Sequence, residues 1–148
     1  MKKFLLIFIT VVLILSVTIQ ARQKPPRGNL VLAIRGFRNN KGVAAVSLFR
    51  SKKGFPNRHE FAFKKGLTRI QKRKALLRFD EIPHGVYAVG VLHDENGNQK
   101  MDTNFLGIPR EGYGTSKNVK GFMGPPKFKD AAFELTTGTL KLNIRMRY

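Results

Sequence analysis

The last ten residues, "TLKLNIRMRY" (139–148), alternate without a break. Leu140, Leu142, Ile144 and Met146 fall on one side, and Lys141, Asn143, Arg145 and Arg147 on the other. Successive side chains of a β-strand point to opposite faces, so this period of two predicts a half-buried antiparallel strand with one face on a core and one in water. The same period recurs upstream. In "NLVLAIRGF", Leu30, Leu32 and Ile34 share a face, and "VAAVSLF" (43–49) is apolar on both faces, the mark of a buried strand. "RNNKG" (38–42) between them predicts a turn that joins the two in a hairpin. "KALLRFDEI" (74–82) predicts a strand with Leu77 and Phe79 inward, and "PHG" turns it into "VYAVGVLHD" (86–94), with Tyr87, Val89 and Val91 alternating with small residues. "KFKDAAFEL" (127–135) is expected to reach the last strand through "TTG" as a hairpin turn.

At least six short strands separated by turn signals predict an all-β fold: an antiparallel β-sandwich with long Gly/Pro-rich loops. Its expected core is Leu32, Ile34, Val46, Leu48, Leu77, Phe79, Tyr87, Val89, Val91, Phe133, Leu142 and Ile144. Two segments break the rhythm. Residues 51–73 are crowded with Lys and Arg around the single acid Glu60, and carry a weak signal for a short helix near 57–65. Residues 102–126 are rich in Gly and Pro, and a loop of that length in a small domain is either functional or held down by its own aromatics, here Phe105, Tyr113 and Phe122.

The N-terminus belongs to a different physical class. "MKKFLLIFITVVLILSVTIQA" opens with two lysines and runs apolar from Phe4 to Ile19, the n-region and h-region of an export signal. As a helix that run spans about 24 Å, short of the ~30 Å hydrocarbon core. Residues 1–21 are therefore read as a signal peptide, with an uncleaved N-terminal membrane anchor as the alternative. Residues 22–28, "RQKPPRG", form a stiff linker, and 29–148 a single domain. The chain has no cysteine, which excludes disulfides, thiol catalysis and a lipid-modified cysteine.

Charge narrows the partners. The chain has 28 Lys and Arg against 9 Asp and Glu, a formal net charge of +19, and only Lys2 and Lys3 of these cations lie in the N-terminal segment. Such a surface attracts polyanions: anionic lipid, acidic envelope polymers, nucleic acid. Export disfavours nucleic acid. Association with a membrane follows directly if the N-terminal segment is retained.

Catalytic patterns are sparse. No serine sits in a Gly-x-Ser-x-Gly elbow, and His59, His84 and His93 lack metal-ligand spacing. His93 lies next to Asp94, which admits a hydrolase built on His93 with Asp94 or Asp102. The richest site chemistry is "HDENGNQKMDTN" (93–104). Counted from Asp94, oxygen donors recur in the order of an EF-hand-like calcium loop: Asp94, Asn96 and Asn98, then the backbone carbonyl of Lys100, then Asp102. Gln99 replaces the glycine of the sharp turn and Phe105 stands where a bidentate Glu is expected, so any Ca²⁺ affinity falls in the weak ~10⁻⁴–10⁻³ M range. The alternative is an Asx-rich turn whose side chains cap backbone amides, with Gly97 at positive φ.

"FDEIPHGVYAVGVLHDENGNQKMDTNFLGIPREGYGTS", followed by "GPPKFKDAAFEL", resembles the bacterial exported family called domain of unknown function 2141. "GNLVLAIRGFRNNKGVAAVSLF" and "GFP" (54–56) resemble its first half, so the likeness covers roughly residues 28–147. The family usually reads "HDENGNGKLDTN", with Gly at the place of Gln99. The turn Pro83-x-Gly85-x-Tyr87 is also similar to that of transthyretin-like and carboxypeptidase-regulatory-like sandwiches. The resemblance implies export and an antiparallel β-sandwich of about seven strands, Ig-like or transthyretin-like, and carries no activity. The expected function is an exported, non-enzymatic β-sandwich serving as a binding or accessory module of the cell envelope. A polyanion binder, using the cations of 51–73 and 141–147 on anionic envelope polymers or lipids, is the first alternative and the hydrolase the second.

Overall fold

The computed structural model describes residues 25–121 and 124–148. Eight strands build two sheets: β1 Arg27–Arg35, β2 Val43–Phe49, β3 Lys64–Arg69, β4 Lys74–Pro83, β5 Gly85–Asp94, β6 Tyr113–Thr115, β7 Phe133–Leu135 and β8 Gly138–Arg145, with one helical turn, α1 Phe128–Ala131. One sheet runs β4-β1-β8 and the other β3-β2-β5-β6, with β7 pairing the remaining length of β5. The two apolar faces close on each other, as expected of a sandwich. From β1 come Leu30, Leu32 and Ile34; from β2 Val46 and Leu48; from β4 Phe79 and Ile82; from β5 Tyr87, Val89 and Val91; from β8 Ile144.

Several pairings differ from expectation. β1 and β2 are not a hairpin, because β4 and β8 occupy both edges of β1 while β3 and β5 occupy those of β2. Residues 36–42 therefore carry the chain from one sheet to the other. Nor does β8 return antiparallel from its neighbour: it runs parallel to β1, with Leu32 beside Leu142 and Ile34 beside Ile144. The segment 127–135 is divided between α1 and β7, and β7 belongs to the opposite sheet. Alternation tells which face a residue takes; it does not tell which strand lies alongside. Ten of the twelve expected core residues are buried, whereas Leu77 and Leu142 are half-buried and pack against the core's margin because β4 and β8 are the outer strands of their sheet.

The segment 51–73 holds a 3-10 turn at His59–Phe61 and then strand β3 in place of a helix. It folds over the outer face of β5. Gly90 permits this, since a Cβ there would come within 2.6 Å of the Pro56 carbonyl oxygen. β5 is consequently buried on both faces from Tyr87 to Asp94. Phe49, Phe55 and Phe128 meet edge to face, at 5.5 and 5.8 Å between ring centroids, and lock the covering segment to α1. The last two residues of the expected linker, Arg27 and Gly28, already belong to β1. The segment 1–21 and Phe122 lie outside the described residues. Among the described residues no helix is long and apolar enough to cross a membrane.

Candidate functional site

β5 delivers the candidate residues to one end of the sandwich. Adjacent strand residues face opposite ways, so His93 points into the core while Asp94 points out to the loop beyond. His93 is fully buried, with Phe37 edge-on at 5.1 Å. Its Nε2 lies 2.9 Å from the Lys41 carbonyl, which can only accept, so Nε2 carries the proton. Nδ1 then accepts from the Tyr148 hydroxyl at 2.6 Å, and the same hydroxyl oxygen accepts from the Arg38 amide at 2.9 Å. Burial pushes the Tyr148 phenol above its usual range, against the opposing pull of Arg38, so it remains the donor in this chain. Both imidazole nitrogens are engaged in joining the C-terminal residue to the 38–41 loop. The carboxylates of Asp94 and Asp102 bond other partners, so the geometry does not assemble the His93–Asp94 or His93–Asp102 relay that a hydrolase requires.

Asp94 is fully buried and each of its oxygens caps a backbone amide: Oδ1 accepts from Gly97 at 2.8 Å and Oδ2 from Gln99 at 2.9 Å. The chain bends so tightly that Gly97 and Gln99 both take positive φ, 81° and 55°. Asn96 Oδ1 accepts from the Asn98 amide at 3.0 Å, and Asn98 Oδ1 from the Lys100 amide at 2.7 Å. The two side-chain NH₂ groups converge instead on Asp102, at 2.6 Å from Asn96 and 3.0 Å from Asn98. Gly42 closes this end from the other side, where a Cβ would overlap the Asp94 carbonyl oxygen.

Of the five candidate calcium positions, three meet through side chains: Asn96, Asn98 and Asp102. They meet with amide nitrogens turned to the carboxylate, whereas a cation needs the amide oxygens there. Asp94 bonds its own turn, and Lys100 contributes its N–H. Among the described residues no three His, Cys, Asp or Glu side chains are grouped to hold a metal ion. The loop geometry is that of a self-capped Asx turn, and the residues do not fit a calcium ion in this arrangement.

Glu111 completes the brace. It is buried at 4 % exposure, and accepts from the Glu95 amide through Oε1 at 2.9 Å and from the Asp102 amide through Oε2 at 3.2 Å. Glu95 turns outward to Arg38 (Nε to Oε1, 2.6 Å) and Asn39 (Nδ2 to Oε2, 3.1 Å). Burial alone would raise the Glu95 carboxyl, but those two donors outweigh it and hold it below the usual range. Sequence reasoning missed Glu111; the only hint was an acid isolated among Gly, Pro and Arg in "IPREGYG".

Beyond Asp102 the chain makes a short finger. Thr103 bridges Pro109, and Asn104 braces the tip: its Oδ1 accepts from Leu106 at 3.0 Å and from Ile108 at 2.9 Å, while its carbonyl accepts from Gly107 at 3.0 Å. Phe105, expected to pack this loop down, is 94 % exposed, and Leu106 and Ile108 are exposed beside it. The correction has a local cause. Asn104 ties the tip to itself and leaves its side chains directed away from the sandwich. Tyr113, in β6, is half-buried as expected.

The cations divide into two groups. In and beside the covering segment, Lys53 and Arg58 lie over Phe61 at 4.4 and 4.7 Å, and Arg50 over Phe63 at 4.7 Å. Arg69, near the end of the same segment, instead lines a hollow shared with Arg35 and Lys74. The second group is set by register. Arg35 of β1 stands between Lys74 of β4 and Arg145 of β8, and two rows along, Val31 stands between Arg78 and Lys141. All five cations face outward and are exposed, and two of them, Arg35 and Lys74, line a shallow hollow of about 550 Å³ together with Arg69, Ala33, Leu76 and Asn143. Arg78 is paired with Asp80; among the described residues Arg35, Lys74, Lys141 and Arg145 pair with no carboxylate. Arg147 is half-buried and donates to the Asn118 carbonyl at 3.1 Å.

The family model for uncharacterized proteins conserved in bacteria, DUF2141, matches residues 32–143, which span β1 to β8 and the whole braced loop end. The chain belongs to the DUF2141 family. No curated protein and no solved structure matches it. This DUF2141 protein presents two distinct exposed surfaces, the basic face of the three-stranded sheet and the apolar tip at Phe105.

Proposed function

We propose that this DUF2141 protein is an exported, non-enzymatic binding module of the cell envelope, and that the outer face of its three-stranded sheet takes an anionic envelope polymer or lipid surface. The cross-strand row Lys74–Arg35–Arg145 carries this reading. Neighbouring strands lie only about 4.8 Å apart, and like charges directly opposite destabilise a sheet. Three in a row, with no carboxylate between them, are unfavourable for folding and favourable only toward a ligand that brings negative charge. The hollow beside the row gives that ligand a seat, and Lys141 extends the charge along the same face. The opening "MKKFLLIFITVVLILSVTIQA" supports export, and the closed bonding of His93, Asp94 and Glu111 supports a structural role for the groups that would otherwise suggest catalysis.

The test is retention on heparin-like and polyphosphate matrices across a salt gradient, because released counterions make such binding steeply salt-dependent. Reversing Arg35, Lys74 and Arg145 to Glu should abolish most of the salt-sensitive retention. Reversing Lys52, Lys53 and Lys117 changes the net charge equally and should leave most of it. Equal losses in the two triples would reduce the attraction to net charge and overturn the assignment of the face.

A further inference from the structure

We propose that the 103–109 finger is a membrane-docking tip, which places Phe105, Leu106 and Ile108 in the interfacial zone of an anionic lipid bilayer. The inference rests on the reading of the basic face as a binder of anionic surfaces and adds where a lipid surface is met. Three large apolar side chains share one short loop, and Phe105 at 94 % exposure has almost no contact with the protein.

The backbone of the tip is prepared for removal from water. The amides of Leu106 and Ile108 both donate to Asn104 Oδ1, the Gly107 amide donates to the Asn104 carbonyl, and Pro109 has no N–H. An amide that enters an apolar medium without a partner is costly, so three consecutive amides satisfied within the loop lower the penalty for insertion, and the carbonyls of residues 105–107, unpartnered among the described residues, keep the tip at the depth of the hydrated headgroups. Gly107, at φ 76°, supplies the turn that makes this bonding possible.

Charge complementarity selects the occupant. Lys100 and Arg110 flank the stem, are exposed and form no ion pair among the described residues, while the carboxylates that share a hollow with Arg110 already have partners: Glu95 in Arg38 and Asn39, Asp102 in Asn96 and Asn98, and Glu111 in two backbone amides. The row Lys74–Arg35–Arg145 lies where β1 and β8 finish, the same end at which β5 feeds the finger. Arg38, just past β1, bonds Glu95, just past β5, and joins the two. Apolar side chains at the apex with cations behind them match acyl chains beneath anionic headgroups.

The chain contains no tryptophan, so Phe105→Trp introduces a single tryptophan at the apex, excited selectively beside the three tyrosines. The full chain carrying it is mixed with vesicles of phosphatidylglycerol and phosphatidylcholine, with vesicles of phosphatidylcholine alone, and with heparin. The emission should shift to the blue on the anionic vesicles and be quenched by brominated acyl chains, and heparin should leave it unshifted. Leu67→Trp, exposed on β3, should stay unshifted in every mixture and serves as the control. Adding Leu106→Asp to the Phe105→Trp chain should remove the shift without lowering the melting temperature, because Leu106 is exposed. Three results would overturn the proposal: bound but unshifted protein on anionic vesicles, an equal shift on phosphatidylcholine alone, or a concentration-dependent shift without lipid, which would mean that the tip docks on a second copy. Salt-sensitive heparin retention is measured on the same proteins. Its persistence beside any of these results would leave the basic-face reading standing while the tip falls, and its loss would remove both.

Discussion

Replacing Asp94 with Asn separates a structural turn from a cation site. The carboxylate accepts from two amides, Gly97 and Gln99, in a fully buried position. An amide side chain keeps one acceptor oxygen and sets an NH₂ group against the other N–H. One charge-assisted bond is lost and a buried donor is left facing a donor, which together cost about 1.5–3 kcal/mol. For a domain of this size that corresponds to a fall in melting temperature of roughly 5–15 °C. Calcium has a different signature. A site with a dissociation constant near 10⁻³ M, in about 5 mM calcium, would stabilise the wild type by about 1 kcal/mol, a rise of a few degrees. Thermal melts of wild type and Asp94→Asn, each in calcium and in chelator, resolve both effects. We expect the variant to melt lower by the same interval in either medium, and the wild type to be indifferent to calcium. A calcium-dependent rise in the wild type that Asp94→Asn abolishes would refute the self-capped turn and restore the loop as a cation site. A variant that melts with the wild type would refute the claim that the Asp94 carboxylate holds the bend.

Glu95 gives a pH dependence of known sign. Its carboxyl is held below the usual range when folded, so its stabilising increment is present above the unfolded value of about 4.3 and is lost as pH falls through the folded value. Arg38 is nearly half exposed, which keeps the increment to about 1 kcal/mol or less, and Glu95→Gln should flatten that part of the acid limb in melts at a series of pH values. Tyr148→Phe should cost about 1–3 kcal/mol in urea denaturation, because it leaves His93 Nδ1 and the Arg38 amide without their shared partner. An unchanged midpoint there would mean that the C-terminal residue does not secure the 38–41 loop.

Much of this was legible in the sequence, and the illegible remainder has a common cause. The faces of β1, β5 and β8 follow from alternation, because the direction of a side chain on a strand depends only on local backbone geometry. The turn chemistry of 94–102 is equally local. Asp94 and the asparagines bond amides two to five residues away, so the Asx-turn reading needs no tertiary partner. The all-β class and the family follow from the same local record. By contrast, β1 pairs with β8 more than a hundred residues later, and no local preference specifies that partner or its parallel direction. The row Lys74–Arg35–Arg145 exists only through that pairing; in the sequence its members are unrelated cations. Glu111 and Tyr148 acquire their roles in the same way, each reaching a group brought near by the closing of the sandwich. Phe105 failed in the opposite direction, where an apolar residue in a Gly-rich loop is expected to fold inward and the Asn104 brace holds it out. The sequence by itself determined the class of fold, the face that each strand residue takes and the oxygen-rich chemistry of the loop after β5, because these depend on near neighbours. The tertiary structure alone decided which strands lie together, and with that where the positive charge gathers and which apolar side chains remain in water, because pairing is set by burial summed over the whole chain.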